Sequence, residues 1–113
     1  GQENAFKEFN NQKGQFVDRD LYIWIVDLNG KILAHGADAS LIGKNLIDLR
    51  DVDGKAFLRD AIRLAKVKNT GWFDYKWTNP VTKEIESKST YFQRVSDFIV
   101  CCGIYYSLDP FGV

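Results

Sequence analysis

Gly71-Trp-Phe-Asp-Tyr-Lys-Trp-Thr78 and Glu84-Ile-Glu-Ser-Lys-Ser-Thr-Tyr-Phe-Gln-Arg-Val95, separated by Asn79-Pro-Val-Thr-Lys83, read as two long strands joined by a short polar loop. Aromatic and β-branched residues dominate both runs, and the Asn-Pro step punctuates them. A four-residue connection between Asn79 and Glu84 sets the register: Tyr75 faces Lys88, Trp77 faces Glu86 and Phe73 faces Thr90. Side chains alternate along a strand, so one face of this hairpin carries Phe73, Tyr75, Trp77 and Lys88 together. Trp72 falls on the opposite face, where an N-terminal helix is expected to cover it.

Downstream, Phe98-Ile-Val-Cys-Cys-Gly-Ile104 is apolar on both faces, which predicts a central strand with both sides covered. Upstream, Phe57, Leu58, Ala61, Ile62 and Ala65 recur at helical spacing, predicting a helix over Lys55 to Val67 with Asp53 as its N-cap. Leu21 to Val26, Asn29-Gly30 and Lys31 to His35 form a first strand pair around a strong hairpin signal. Gly36 to Gly54 is a long connection with a helical turn near Ser40 to Ile42, a length typical of loops that cover ligands. Glu3 to Phe9 carries Ala5, Phe6 and Phe9 on one side, as the end of a longer helix would. The order β-β-α-β-β-β, with helices segregated from an antiparallel sheet, is an α+β architecture in a single domain spanning residues 1–113.

Bulk properties narrow the function. Lys plus Arg and Asp plus Glu each total 15, with no dense run of one sign, which argues against nucleic-acid binding. No stretch approaches the roughly 20 apolar residues of a membrane span. Gly1 to Asn11 lacks the pattern of a secretory signal. Cys101 and Cys102 are neighbours in a strand, pointing to opposite faces, and are expected to be buried free thiols. With one His and no C-x-x-C, neither a metal site nor a redox motif is expected, and no cofactor is implied. Asp51-Val-Asp53-Gly54 opens like a calcium loop but lacks the later ligands. No catalytic triad, phosphate loop or metal cluster supports an enzyme, and no catalytic residue is assigned.

Gly14-Gln-Phe-Val-Asp18, Asp27-Leu-Asn-Gly30, Ala34-His35, Ile42-Gly-Lys-Asn-Leu46 and Asp51-Val-Asp-Gly54 form a recognisable series, continued by Gly71 to Trp77, Asn79-Pro80, Ser87 to Tyr91 and Gly103-Ile-Tyr105. Together these segments resemble the single Cache domains, the extracytoplasmic sensors of bacterial chemotaxis receptors and sensor histidine kinases, also found as free-standing secreted proteins. The resemblance implies a PAS-like five-stranded antiparallel sheet. A long N-terminal helix, here mostly missing, would lie on one face, and a helix and long loop would cover a pocket on the other. The implied ligand is a short organic carboxylate, acetate- or pyruvate-like, and the implied location is periplasmic or extracellular. Membrane attachment through segments outside this chain and a homodimer are both compatible with it. Cys101-Cys102 departs from the smaller residues usual there. The tail Ser107 to Val113, with Pro110 and Gly112, does not read as a helix entering a membrane, so a free-standing binding protein is the alternative.

A small carboxylate needs a cation or several N–H donors and a fitting apolar wall. Lys88 is the expected cation, although a solvated strand lysine is its plain alternative. His35 would donate a hydrogen bond and, if protonated, add charge near neutral pH; the other reading is a core histidine satisfied by a backbone carbonyl. Tyr75 would offer a hydroxyl, with Trp77 and Phe73 as walls. Backbone amides near Gly43 to Asn45 or Asp51 to Asp53 are further anion donors, between which the sequence does not choose.

Overall fold

The computed structural model describes residues 20–106. The segments Glu3 to Phe9 and Ser107 to Val113, and with them the expected N-terminal helix, lie outside the described residues. Strands β1 (Ile23–Asp27), β2 (Ile32–His35), β3 (Thr70–Thr78), β4 (Ile85–Val95) and β5 (Phe98–Tyr106) form one sheet. Its order is β2-β1-β5-β4-β3 and every pairing is antiparallel, so the apolar β5 is the central strand.

The β3–β4 hairpin has the expected register, with Tyr75 opposite Lys88, Trp77 opposite Glu86 and Phe73 opposite Thr90. Its four-residue loop is closed by the Asn79 amide donating to the Glu84 carbonyl (2.8 Å), and Lys83 takes the left-handed conformation at φ 66°. Asn79 is buried, its side-chain oxygen accepting from the Val81 amide while its NH2 donates to Glu86. The β1–β2 turn closes on Asp27, whose carboxylate accepts from the Asn29 and Lys31 amides (both 2.9 Å). Gly30 sits at φ 100°, and a Cβ there would lie 2.8 Å from both Asn45 Oδ1 and Ile47 Cβ. In β2, Leu33 is the extra residue of a bulge, since Ile25 pairs with Ala34 and Val26 with Ile32.

The long connection after β2 contains a 3₁₀ turn over Ala39–Leu41, with Asp38 capping it through Ser40. It then returns along β2: the Ile32 amide donates to Lys44 O, the Gly43 amide to Ile32 O, and Lys31 bridges Asn45. The edge of β2 is thereby covered. The helix α1 (Phe57–Ala65) buries Phe57, Leu58, Ala61, Ile62 and Ala65, as their spacing predicts. Those side chains join Trp24, Val26, Phe73, Phe92, Ile99 and Cys101 in the core, each large one contributing about 1.5–3 kcal/mol by burial.

Two expectations are corrected. Asp53 does not cap α1: the helix starts later, Ala56 occupies the N-cap position and no side chain caps it. Asp51 organises this region instead. Its Oδ1 accepts from the Asp53 and Lys55 amides and its Oδ2 from the Lys76 amide, fastening the connection to β3. The cysteines are both free, but only Cys101 is buried, Cys102 being half-buried. On the face away from α1, β5 is half-buried at Val100 and Cys102 and exposed at Ile104. There Trp72 is exposed and meets Tyr91 edge-on, ring centroids 5.3 Å apart.

Asp51→Ala is expected to destabilise the domain by about 1–3 kcal/mol, since three amides lose their acceptor. Asp53→Ala forfeits only the exposed ion pair with Lys76 and is expected to cost about 1 kcal/mol or less. Urea denaturation of the two variants checks the order.

Candidate functional site

Gly103 shapes the centre of the sheet. On the core face β4 presents Lys88 and Thr90 beside Tyr105 and Gly103 of β5, and a Cβ on Gly103 would run into the Thr90 hydroxyl and come within 2.5 Å of Lys88 Cε. Without that carbon, the lysine stem lies across β5 toward β1. Its ammonium hydrogen-bonds the Tyr22 hydroxyl at 2.6 Å and sits 4.1 Å from the centre of the Tyr22 ring. The Tyr105 and Tyr75 rings flank it at 5.0 and 5.6 Å. Lys88 is 1% exposed, and no carboxylate lies within salt-bridge distance of it among the described residues. An ammonium has three donors and one is spent on Tyr22. Burial holds the Lys88 pKa down at about 7, against the opposing pull of Cys101, Cys102 and Asp20.

The hydroxyls around this cation form a directed chain. Tyr105 donates its one proton to the Thr78 carbonyl (2.8 Å), so at the 3.1 Å contact between the two phenols Tyr22 is the donor. Tyr22 thus accepts from Lys88 and passes its own proton toward Tyr105. Burial raises the pKa of Tyr22 and Tyr75 and pushes Tyr105 up to about 12, so all three stay neutral phenols. The Tyr75 hydroxyl accepts from Thr90 at 3.2 Å, which leaves its own proton to donate.

His35 closes the other side. Its Nδ1 accepts from the Ala37 (3.2 Å) and Asp38 (2.9 Å) amides, so the ring proton is on Nε2. Burial, with the Lys88 charge adding to it, lowers the His35 pKa to about 4. The ring is therefore neutral at neutral pH, correcting the expectation that it supplies charge there. Its partners at Nδ1 are backbone amides. The ring lies against Tyr22 and Trp24, centroids 5.0 and 6.4 Å away.

Between these groups and α1 is a small, partly open cavity of about 10 Å³, room for about one water. Tyr22, Trp24, His35, Phe57, Tyr75 and Trp77 supply its aromatic wall, and Leu41 and Leu46 reach in from the long connection. Outside it, a vestibule of about 180 Å³ shares Tyr22, His35 and Trp77 with the cavity and is bordered by Asp38, Thr78, Pro80 and Lys83.

Of the residues expected at the site, His35, Tyr75 and Trp77 line the cavity. Lys88 and Phe73 do not: Lys88 sits behind the Tyr22 and Tyr75 rings, and Phe73 packs behind Tyr75 and edge-on to Trp24. Of the amides expected as anion donors, Gly43 is engaged with Ile32, Lys44 with Leu41, Asp51 with Lys55 and Asp53 with Asp51. Sequence reasoning missed Tyr22 and Trp24. The signal available was the alternation of Leu21 to Val26, which puts both on one face, but nothing local fixes which face that is.

The profile of the family Single Cache domain 2 matches residues 3–107. The chain belongs to the single Cache family. This Cache domain is 33% identical over 90 residues to the methyl-accepting chemotaxis protein McpP of Pseudomonas putida, covering 78% of this chain and 16% of that protein. It is 29% identical over 89 residues to the sensor histidine kinase MctS of Rhizobium johnstonii, covering 77% of this chain and 19% of that protein. The chain therefore spans less than a fifth of either curated relative. A solved structure reported for carboxylic acid recognition by a Cache chemosensory domain superposes with a TM-score of 0.83 at 30% identity, covering 94% of this chain and 71% of that one. A methyl-accepting chemotaxis protein of Vibrio parahaemolyticus superposes with a TM-score of 0.81 at 26% identity, covering 92% and 69%. Domains of this family are extracytoplasmic, non-catalytic ligand-binding modules of chemotaxis receptors and sensor kinases. Among the described residues no helix is long and apolar enough to cross a membrane.

Gly103→Ala is expected to lift the Lys88 stem off β5 and break the bond to Tyr22, with a loss of about 1–3 kcal/mol in stability from overpacking. A crystal structure and a melting curve of the variant check both parts.

Proposed function

We propose that this Cache domain binds a short organic carboxylate, acetate- or pyruvate-like, as the sensing module of a bacterial chemotaxis receptor or sensor histidine kinase. The observation that carries this reading is Lys88: a buried ammonium with donors to spare and no carboxylate partner among the described residues. Burying a charge without a counter-ion is costly, and a ligand carboxylate supplies the missing charge and acceptors. The surrounding rings suit a short carbon chain and leave little room for a long one.

In this role Lys88, behind the Tyr22 and Tyr75 rings, offsets the charge of the carboxylate, the Tyr75 hydroxyl donates to its oxygens, and His35, Trp77 and Phe57 wall the carbon chain. Phe73 supports Tyr75 from behind. A two-carbon acid is larger than the water-sized cavity, so its admission requires the wall to yield. Leu41 and Leu46, borne on the long connection, are part of that wall. Ligand occupancy therefore acts on the connection, and a domain whose loop arrangement differs between empty and filled states can report the ligand to attached segments. The carboxylic acid recognition reported for the 30% identical Cache neighbour supports the ligand class.

A thermal-shift series with two- to six-carbon acids is expected to raise the melting temperature for the shortest members, because a ligand that binds only the folded state stabilises it. Lys88→Met is expected to remove that shift while leaving the domain folded. Failure of every acid to shift the wild-type domain, or binding that survives Lys88→Met, would refute the assignment.

The pH dependence follows from the same cation. The Lys88 pKa is about 7 in the empty domain and rises when a carboxylate is bound, so binding above pH 7 takes up a proton. Affinity for acetate, measured by calorimetry, is expected to be level between about pH 5.5 and 6.5, above the titration of the acid itself, and to fall by up to about tenfold per pH unit above 7. His35, at about 4, and the three phenols do not titrate in that window. For the empty domain the sign is opposite. The unfolded chain holds more protons than the folded one between about pH 7 and 10, so stability rises with pH across that interval.

A further inference from the structure

Trp24 is 4% exposed and its indole Nε1 is buried without a hydrogen-bond partner, alone in this respect among the side-chain atoms of the described residues. An unpaired buried N–H costs about 1–3 kcal/mol. Strand β1 holds Trp24 rigidly, paired with His35 of β2 and Cys101 of β5. Phe73 meets the indole edge-on and His35 stacks on it. The residue lines the same cavity as Tyr75, His35 and Trp77. A rigid, unspent donor in the wall of a ligand cavity is a recognition element waiting for an acceptor.

We propose that Trp24 is a ligand-contacting, specificity-determining residue whose indole N–H donates to an oxygen of the bound acid. The inference rests on the carboxylate reading of the site and adds a contact from β1 to those from β3 and β4. It also defines what the site refuses. The ring nitrogen of His35 able to accept is already occupied by two backbone amides. No acidic side chain among the described residues lines the cavity, and the Lys88 ammonium already occupies the faces of the Tyr22 and Tyr75 rings. A ligand ammonium would meet repulsion there and find no counter-charge. Acids whose polar atoms are all acceptors are admitted, and 2-amino acids of the same size are rejected.

The test uses the whole 113-residue chain. Acetate, propionate and alanine are titrated by calorimetry into the wild type and Trp24→Phe. The indole N–H resonances of the wild type, which has three tryptophans, are followed by 1H–15N NMR. Trp24→Phe removes the donor and keeps an aromatic ring. It is expected to weaken acetate or propionate binding by about tenfold or more, as loss of a hydrogen bond to a charged acceptor does. In the wild type, the Trp24 resonance is expected to move downfield on titration, and alanine to give no binding at concentrations that saturate propionate. Unchanged affinity in Trp24→Phe, an unmoved Trp24 resonance at saturation, or alanine binding comparable to propionate overturns the inference. Each leaves the carboxylate reading standing, since wild-type acid binding would persist. Absence of any acid binding to the wild type overturns both. The NMR readout decides even if the variant fails to fold.

Discussion

The buried ammonium of Lys88 is the constraint around which the core face is arranged. A lysine charge taken from water costs several kcal/mol after relaxation, and no carboxylate within the described residues repays it. What the fold provides is partial compensation from uncharged groups. The Tyr22 ring lies under the cation and its hydroxyl accepts from it, while Tyr75 and Tyr105 stand at either side. Each depends on the sheet order: Tyr22, at the entrance to β1, does not meet a lysine on β4 unless β5 lies between them and offers a trough. Gly103 is that trough. The depressed Lys88 pKa measures the deficit that remains. A core with a standing deficit of positive-charge solvation is poised for an anion.

Neutrality of the other groups is equally necessary. Were His35 protonated, two cations would share one small cavity; burial and the Lys88 charge keep the imidazole neutral, and two backbone amides hold its remaining proton on Nε2. The phenols, held neutral by burial, remain donors. One charge and several neutral donors is the composition that favours a monoanion over a dianion or a zwitterion.

How far this was legible in the sequence depends on whether the deciding contacts were local. The β3–β4 register was readable because a four-residue loop fixes it, and with it came the grouping of Phe73, Tyr75, Trp77 and Lys88. The α1 face was readable from its spacing. The contributions of Tyr22 and Trp24 were not, because β1 pairs with β5 across some seventy-five residues and no turn sets that register. The expectation at Asp53 failed for another reason. Two aspartates flank Val52 and either suits a turn, but only the fold brings the Lys76 amide to Asp51, and that third bond decides between them. For His35 the protonation state was not legible, since it follows from burial and from a lysine fifty-three positions away. Phe73 and Lys88 were placed on the correct face, yet face alone does not say which side chain fronts a cavity and which stands behind.

The long connection after β2 joins the cavity to the rest of the molecule. Between Gly43 and Leu46 it is stitched to the first hairpin by backbone bonds and by the Asn45 side chain, which holds Asn29 O and the Ile47 amide. That part pairs with the hairpin and moves with it. The segment from Gly36 to Leu41 is anchored differently. Its Gly36 amide holds Ile23 O, its Ala37 and Asp38 amides hang on the His35 ring, its 3₁₀ turn on Asp38 and Ser40, and Leu41 faces the cavity. Any tilt of the imidazole spends the two bonds that position Ala37 and Asp38, so a group pressing on the ring from the cavity presses on the start of the connection as well. The same ring borders both the cavity and the vestibule. Occupancy inside and chain arrangement outside are thus linked through one neutral side chain, whose rotation costs hydrogen bonds worth about 0.5–1.5 kcal/mol each. That is small against the binding free energy of even a millimolar ligand, about 4 kcal/mol, so ligand binding is sufficient to move it.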